Sequence, residues 1–72
     1  MKKVFRLEDI DCANCAAKME NAINKINGVE KATVNFMMKK LTVTADESDF
    51  ERIIDEAQKA ISRIEPDCRI IR

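Results

Sequence analysis

The chain has no histidine, tryptophan or tyrosine, a single glycine, a single proline and no net charge. Without histidine there can be no Cys–His or Ser–His nucleophile pair, no histidine-containing zinc site and no ordinary proton shuttle at neutral pH. Three phenylalanines are the only aromatics, so the strands offer no exposed rings for stacking RNA bases. Thirteen basic and thirteen acidic side chains cancel, leaving no overall field to draw nucleic acid or an anionic membrane. Any electrostatic choice of partner must be local. No apolar run approaches the ~18 residues needed to span a bilayer, and Met1-Lys2-Lys3 lacks a following run of ~7 apolar residues. The stretch is expected to be soluble and not secreted on its own.

What is present is a modest aliphatic core under a charged exterior, with 46% hydrophobic and 36% charged residues in 72. A chain this short buries only about 60% of the surface it exposes when unfolded, which leaves little room for an enclosed catalytic pocket. One domain covering residues 1–72 is expected. Three cysteines are an odd number, and two of them are too close in sequence to staple distant loops. That composition argues against a disulfide framework and for a reducing compartment.

Phe5 and Leu7 alternate with Val4 and Arg6, the period-two pattern of a half-buried strand. From Cys15 the period changes to three and four through Cys15, Ala16, Met19, Ala22, Ile23 and Ile26, with Glu20 and Asn24 read as outward-facing. Gly28 reads as this helix's C-cap. Alternation resumes from Val29 to Met37 and again at Leu41 and Val43, a hairpin turning at Met37 to Lys40. Ser48-Asp49-Phe50-Glu51 has the form of a capping box before a second amphipathic helix that carries Phe50, Ile53, Ile54, Ala57, Ile61 and Ile64. Pro66 ends it, and Cys68 to Ile71 reads as a last short strand. The order βαββαβ predicts an α+β, ferredoxin-like fold, a four-stranded antiparallel sheet with both helices on one face. In that topology three connections share one end: the loop holding Cys12 and Cys15, the Met37 to Lys40 turn, and the Ile64 to Asp67 junction.

The stretch Asp11-Cys12-Ala13-Asn14-Cys15 lies where the strand pattern stops and the helix pattern starts. A thiolate is the species that binds metal, and Cys15 in a first helical turn would gain from the positive end of the helix dipole, an effect Cys12 can share. Two thiolates with Cu(I) already leave a negative charge, so a third anionic group is repulsive there. With Zn(II), Cd(II) or Pb(II) two thiolates neutralise the ion, and the Asp11 carboxylate can join as a productive ligand. Asp11 therefore tilts the site toward divalent metals. Glu65, on a loop at the same end, is the best candidate for a further oxygen ligand, with water as its competitor.

Leu7 through Glu20, then Ile26-Asn27-Gly28-Val29, Thr33-Val34-Asn35-Phe36 and Lys40-Leu41-Thr42-Val43, resemble the heavy-metal-associated domain over nearly the whole chain. That family comprises small metallochaperones and the cytosolic N-terminal modules of metal-exporting P-type ATPases. The Asp-Cys-x-x-Cys form, with Ile64-Glu65-Pro66-Asp67 near the end, is more similar to the zinc/cadmium/lead exporters than to the copper ones, whose loop usually reads Gly-Met-Thr-Cys-x-x-Cys. By this resemblance Cys12, Cys15, Asp11 and Glu65 carry over as metal ligands for Zn2+ or Cd2+, with Pb2+ next and Cu+ as the alternative. It also implies a cytosolic place as part of an integral membrane transporter. The partners implied are the membrane and catalytic domains of its own ATPase or a metal donor protein, and the isolated domain is expected to be a monomer. Asp9 stands where the family often has glycine, and Ile10 where it often has a methionine that packs under the loop, a task isoleucine can perform.

Other readings compete. The chain has no phosphate-binding glycine loop and no aspartate in a phosphorylatable context, so the isolated domain is not expected to be an enzyme. A CxxC thiol oxidoreductase is disfavoured by the short chain, the missing aromatic and proline neighbours, and Asp11, which opposes thiolate formation. A free-standing copper or zinc chaperone remains the main alternative. Cys68, Met37 and Met38 are read as core and turn residues. Lys39 and Lys40 are read as the charged edge of a hairpin that could also dock an acidic partner beside the metal.

Overall fold

A computed structural model describes residues Met1–Arg72. Strand β1 spans Lys2–Glu8, helix α1 Ala13–Asn24, β2 Val29–Asn35, β3 Lys40–Ala45, helix α2 Phe50–Ile64 and β4 Arg69–Ile71, with a 3-10 turn at Glu47–Asp49 leading into α2. The strands form one sheet in the order β2-β3-β1-β4, each neighbour antiparallel. This is the ferredoxin-like arrangement expected from the element order.

Period two decides which side of the sheet meets the helices. Leu41, Val43 and Ala45 of β3 are fully buried, while Thr42 and Thr44 between them are not. Against that inner face lie Ala16, Met19 and Ile23 of α1 and Phe50, Ile53, Ile54, Ala57 and Ile61 of α2, all in one continuous core. Ile53 and Ile61, with no exposed surface, each contribute roughly 2 kcal/mol relative to an exposed side chain. Cys68 belongs to the same core.

Several local expectations are corrected. Helix α1 starts two residues earlier than its apolar pattern, because Cys12 acts as its N-cap. It ends at Asn24 with Lys25 as C-cap, so Gly28 is not the cap; it supplies a left-handed residue, φ 99°, in the turn before β2. The capping box before α2 does not form: Ser48 lies within the 3-10 turn and Asp49, the N-cap, makes no side-chain capping bond. The extra turn supplies the i→i+3 bond from Asp49 N–H to the Asp46 carbonyl instead, at 3.0 Å.

Glu20 and Asn24, read as solvent-facing, reach the sheet. The Asn24 amide accepts from Ala32 N–H at 2.8 Å and donates to the Ala32 carbonyl at 2.9 Å, and Glu20 accepts from Val34 N–H at 2.9 Å. On the far edge Gln58 of α2 accepts from Ile70 N–H at 2.8 Å and donates to the Cys68 carbonyl at 3.0 Å. Both edge strands thus have backbone groups satisfied by helix side chains, which removes a template for strand addition. The same bonds fix each helix relative to the sheet, and so fix the loop between β1 and α1.

Candidate metal centre

The three connections expected at one end are there. Leu7 N–H donates to the Lys39 carbonyl at 2.8 Å, tying the hairpin turn to the end of β1. The α2–β4 junction is held by Cys68 N–H on the Glu65 carbonyl at 3.1 Å. Between them the β1–α1 loop enters through Asp9, whose φ of 59° is left-handed. Asp tolerates that region better than most side chains, and glycine best of all. Ile10 is buried under the loop, 1% exposed, and anchors it.

Cys12 and Cys15 are both half-buried and unbridged. The Cys12 sulfur accepts from Cys15 N–H at 3.4 Å, as an N-cap oxygen would, while the Cys12 carbonyl receives Ala16 N–H at 3.0 Å. That backbone N–H, then the Cys15 thiol, hold the Cys12 pKa below the ordinary thiol value. Cys15 behaves in the opposite way. Because its thiol donates to the Cys12 sulfur, and because it is desolvated and hydrogen-bonded to the Glu65 carboxylate, its pKa is pushed up to about 11. The expectation that Cys15 would be the sulfur favoured by the helix end is therefore reversed. Of the two, Cys12, at the N-cap, gives up its proton more readily, and Cys15 holds its own more tightly.

Glu65, the C-cap of α2, is thus brought to the thiol pair. Asp11 is adjacent to Cys12 in the chain, but its exposed side chain lies in a shallow depression with Glu8, Asp9, Asp67 and Arg69. No three thiol or carboxylate groups converge on one point in this arrangement. Ligation of a divalent ion would need a carboxylate to swing onto the two sulfurs, from exposed Asp11 or from Glu65. The donor set, two thiols and two movable carboxylates without histidine, fits a soft or borderline cation. Sequence reasoning passed over the Asn14 N–H, which also stabilises the Cys12 thiolate, and the remaining acids of the rim. The run Glu8-Asp9-Ile10-Asp11 was the visible signal for that rim.

The other residues singled out separate. Cys68 is fully buried, and burial raises its pKa to about 11, with Glu65, Asp9 and Asp11 adding to the effect. Met37 and Met38 are exposed in the hairpin turn, 86% and 60%. Lys39, at φ 54°, lies beside Glu8 and Asp9, whereas Lys40 stands opposite Arg6 on the outer sheet face. The two lysines do not form one docking patch. No helix is long and apolar enough to cross a membrane.

A ferredoxin-like domain presenting a two-thiol clip at a helix N-terminus, with Glu65 near it, has the form of a small metal-handling module. Residues 4–66 match the heavy-metal-associated domain model, and the chain belongs to that family. It is 35% identical over 66 residues to a cadmium, zinc and cobalt-transporting ATPase of Bacillus subtilis, with 92% of this chain and 9% of that protein aligned. A copper-exporting P-type ATPase of the same organism is 35% identical over 63 residues, with 88% of this chain and 8% of that protein aligned. Among solved structures, the N-terminal domain of ZntA in its apo form superposes with a TM-score of 0.72 at 30% identity, covering 99% of this chain and 92% of that one. The chain thus spans less than a tenth of the length of these curated transporters.

Proposed function

We propose that the chain binds a divalent soft or borderline ion, Zn(II), Cd(II) or Pb(II), through Cys12, Cys15 and Asp11, and delivers or senses it as a cytosolic N-terminal module of a heavy-metal-exporting P-type ATPase. Glu65 or water completes the coordination. The observation that carries this reading is the half-buried Cys12/Cys15 pair at the start of α1, with Asp11 next to Cys12 in the chain and Glu65 close enough to raise the Cys15 pKa. Two thiolates neutralise a divalent ion, and the surrounding carboxylates then serve as further ligands. An open clip of this kind also lets a second pair of thiolates enter before the first pair leaves. The 35% identity to a cadmium, zinc and cobalt transporter supports the same choice of metal and context.

A Cu(I) carrier is the second reading, favoured by the 35% identity to a copper exporter. Glu65 near Cys15 and Asp11 next to Cys12 in the chain oppose it, because two thiolates and Cu(I) already carry a negative charge. Competition titrations with Zn(II), Cd(II), Pb(II) and Cu(I) separate the two. Asp11→Ala is expected to weaken divalent binding about 10- to 100-fold while leaving Cu(I) affinity unchanged or higher. An unchanged divalent affinity removes Asp11 from the ligand set, and tight binding that survives Cys12→Ser with Cys15→Ser removes the whole site.

A further inference from the structure

The outer face of the sheet, turned away from the helices, is organised by cross-strand register. Lys31 and Lys2 flank Thr44 in one row, Arg6 stands directly opposite Lys40, and Arg69 stands opposite Glu8. Four exposed cations, Lys2, Arg6, Lys31 and Lys40, thus share this face with Glu8, in a chain whose total charge is zero, while Arg69 at its far end lies among Glu8, Asp9, Asp11 and Asp67. None of these four forms a salt bridge; the ion pairs of this chain belong to Arg52 and Arg72. The Arg6–Lys40 pair is unfavourable, since like charges directly opposite in a sheet repel. Thr33, Thr42 and Thr44 line a shallow polar depression with Lys2 and Lys31, a grouping of hydroxyls and ammoniums suited to phosphodiester oxygens. Val4 and Ile71 add exposed apolar surface, 57% and 40%.

We propose that this outer sheet face docks on an anionic phospholipid bilayer. A broad cationic face with hydroxyls, two aliphatic side chains and no aromatic ring matches a headgroup layer. The other basic concentration, Lys18, Lys25, Lys59 and Arg63, lines the groove between the helices and is interrupted by Glu56. Its lining has asparagines and a carboxylate where the sheet face has threonine hydroxyls. With the sheet face down, the strands lie along the membrane and the helices point away. The Cys12/Cys15 loop, at the strand ends, sits at the rim of the contact and stays open. The proposal is independent of which metal is bound.

Flotation of the intact 72-residue chain with vesicles of phosphatidylcholine alone, or mixed with phosphatidylglycerol in roughly equal parts, tests it. Binding is expected only to the anionic vesicles, and to be lost between about 0.05 M and about 0.5 M salt. Lys31→Glu and Lys40→Glu each reverse one charge and are expected to weaken partitioning about 30-fold. Lys40→Glu should at the same time raise the denaturation midpoint, because it turns the Arg6 pair attractive, so lost binding cannot be ascribed to unfolding. Lys59→Glu, the same charge change in the helix groove, should leave partitioning within about threefold. Equal losses for Lys59→Glu and Lys31→Glu overturn the face assignment. No binding to anionic vesicles at low salt overturns the proposal.

Discussion

At the start of α1 the two sulfurs hold their protons unequally, and that difference governs how metal binding responds to pH. Cys12 is held below the ordinary thiol pKa by the Cys15 N–H, whereas Cys15, donating to Cys12, is raised to about 11. At neutral pH a metal that takes both sulfurs must therefore displace the Cys15 proton, and below the Cys12 pKa a second one. Apparent affinity rises with pH, by about tenfold per unit for each proton released. Calorimetry of Zn(II) binding in buffers of different ionisation enthalpy should find between about one and about two protons released at neutral pH, falling toward one as pH rises past the Cys12 pKa. Release well below one would mean that Cys15 does not hold its proton. Gly28 is the other residue whose chemistry is forced. Its φ is 99°, and a Cβ there would lie 2.8 Å from the Arg52 guanidinium, which donates to the Asn27 carbonyl. Gly28→Ala is expected to cost about 1–2 kcal/mol in urea denaturation, mostly through the backbone, since the Arg52 tip can move aside.

Among the elements, α2 and β4 enclose Cys68, and its burial gives the fold an alkaline limit. The thiol is held neutral, with a pKa raised from 9.0 to about 11, chiefly by desolvation. A raised folded-state pKa contributes stability that is complete below the unfolded-state value and is lost as pH climbs through the folded one. The loss should fall between pH 9 and pH 11 and reach roughly 2–3 kcal/mol for this group. Cys68→Ala should begin less stable by about 1 kcal/mol, from lost packing, and show a flatter decline across that window. Denaturation curves for both proteins over that pH range decide it; parallel declines would mean that Cys68 does not titrate there. The elements themselves were legible because periods of two and of three to four survive in a short chain. What was not legible lay at their ends. Cys12 capping α1 depends on a sulfur replacing the usual oxygen acceptor, and the 3-10 turn in front of α2 supplants a capping box that local sequence favours. Glu20, Asn24 and Gln58 looked like ordinary solvent-facing polar residues because edge-strand groups cannot be located until the sheet order is known.

For the whole molecule, topology brings Glu65, fifty residues along the chain from Cys15, against its thiol. That juxtaposition was readable from the element order alone, since β1–α1 and α2–β4 must meet at one end. The unequal protonation of the two sulfurs was not, because it depends on which thiol donates to which. A metal held by both loops should therefore act as a clasp between the first and last connections of the chain. Zn(II) supplied at about a thousand times its dissociation constant is expected to raise the unfolding free energy by about 4 kcal/mol. Mass action alone does not say where the added protection appears. If Glu65 ligates, hydrogen exchange should slow at the Cys12–Cys15 loop and also at Glu65 to Cys68, while the exposed Met37–Met38 turn, which supplies no ligand, is unchanged. Glu65→Ala should then abolish the second region's protection and leave the first. Protection confined to the cysteine loop in the wild type would assign the remaining coordination position to Asp11 and water, and leave the Glu65 carboxylate the role it has without metal, holding the Cys15 proton.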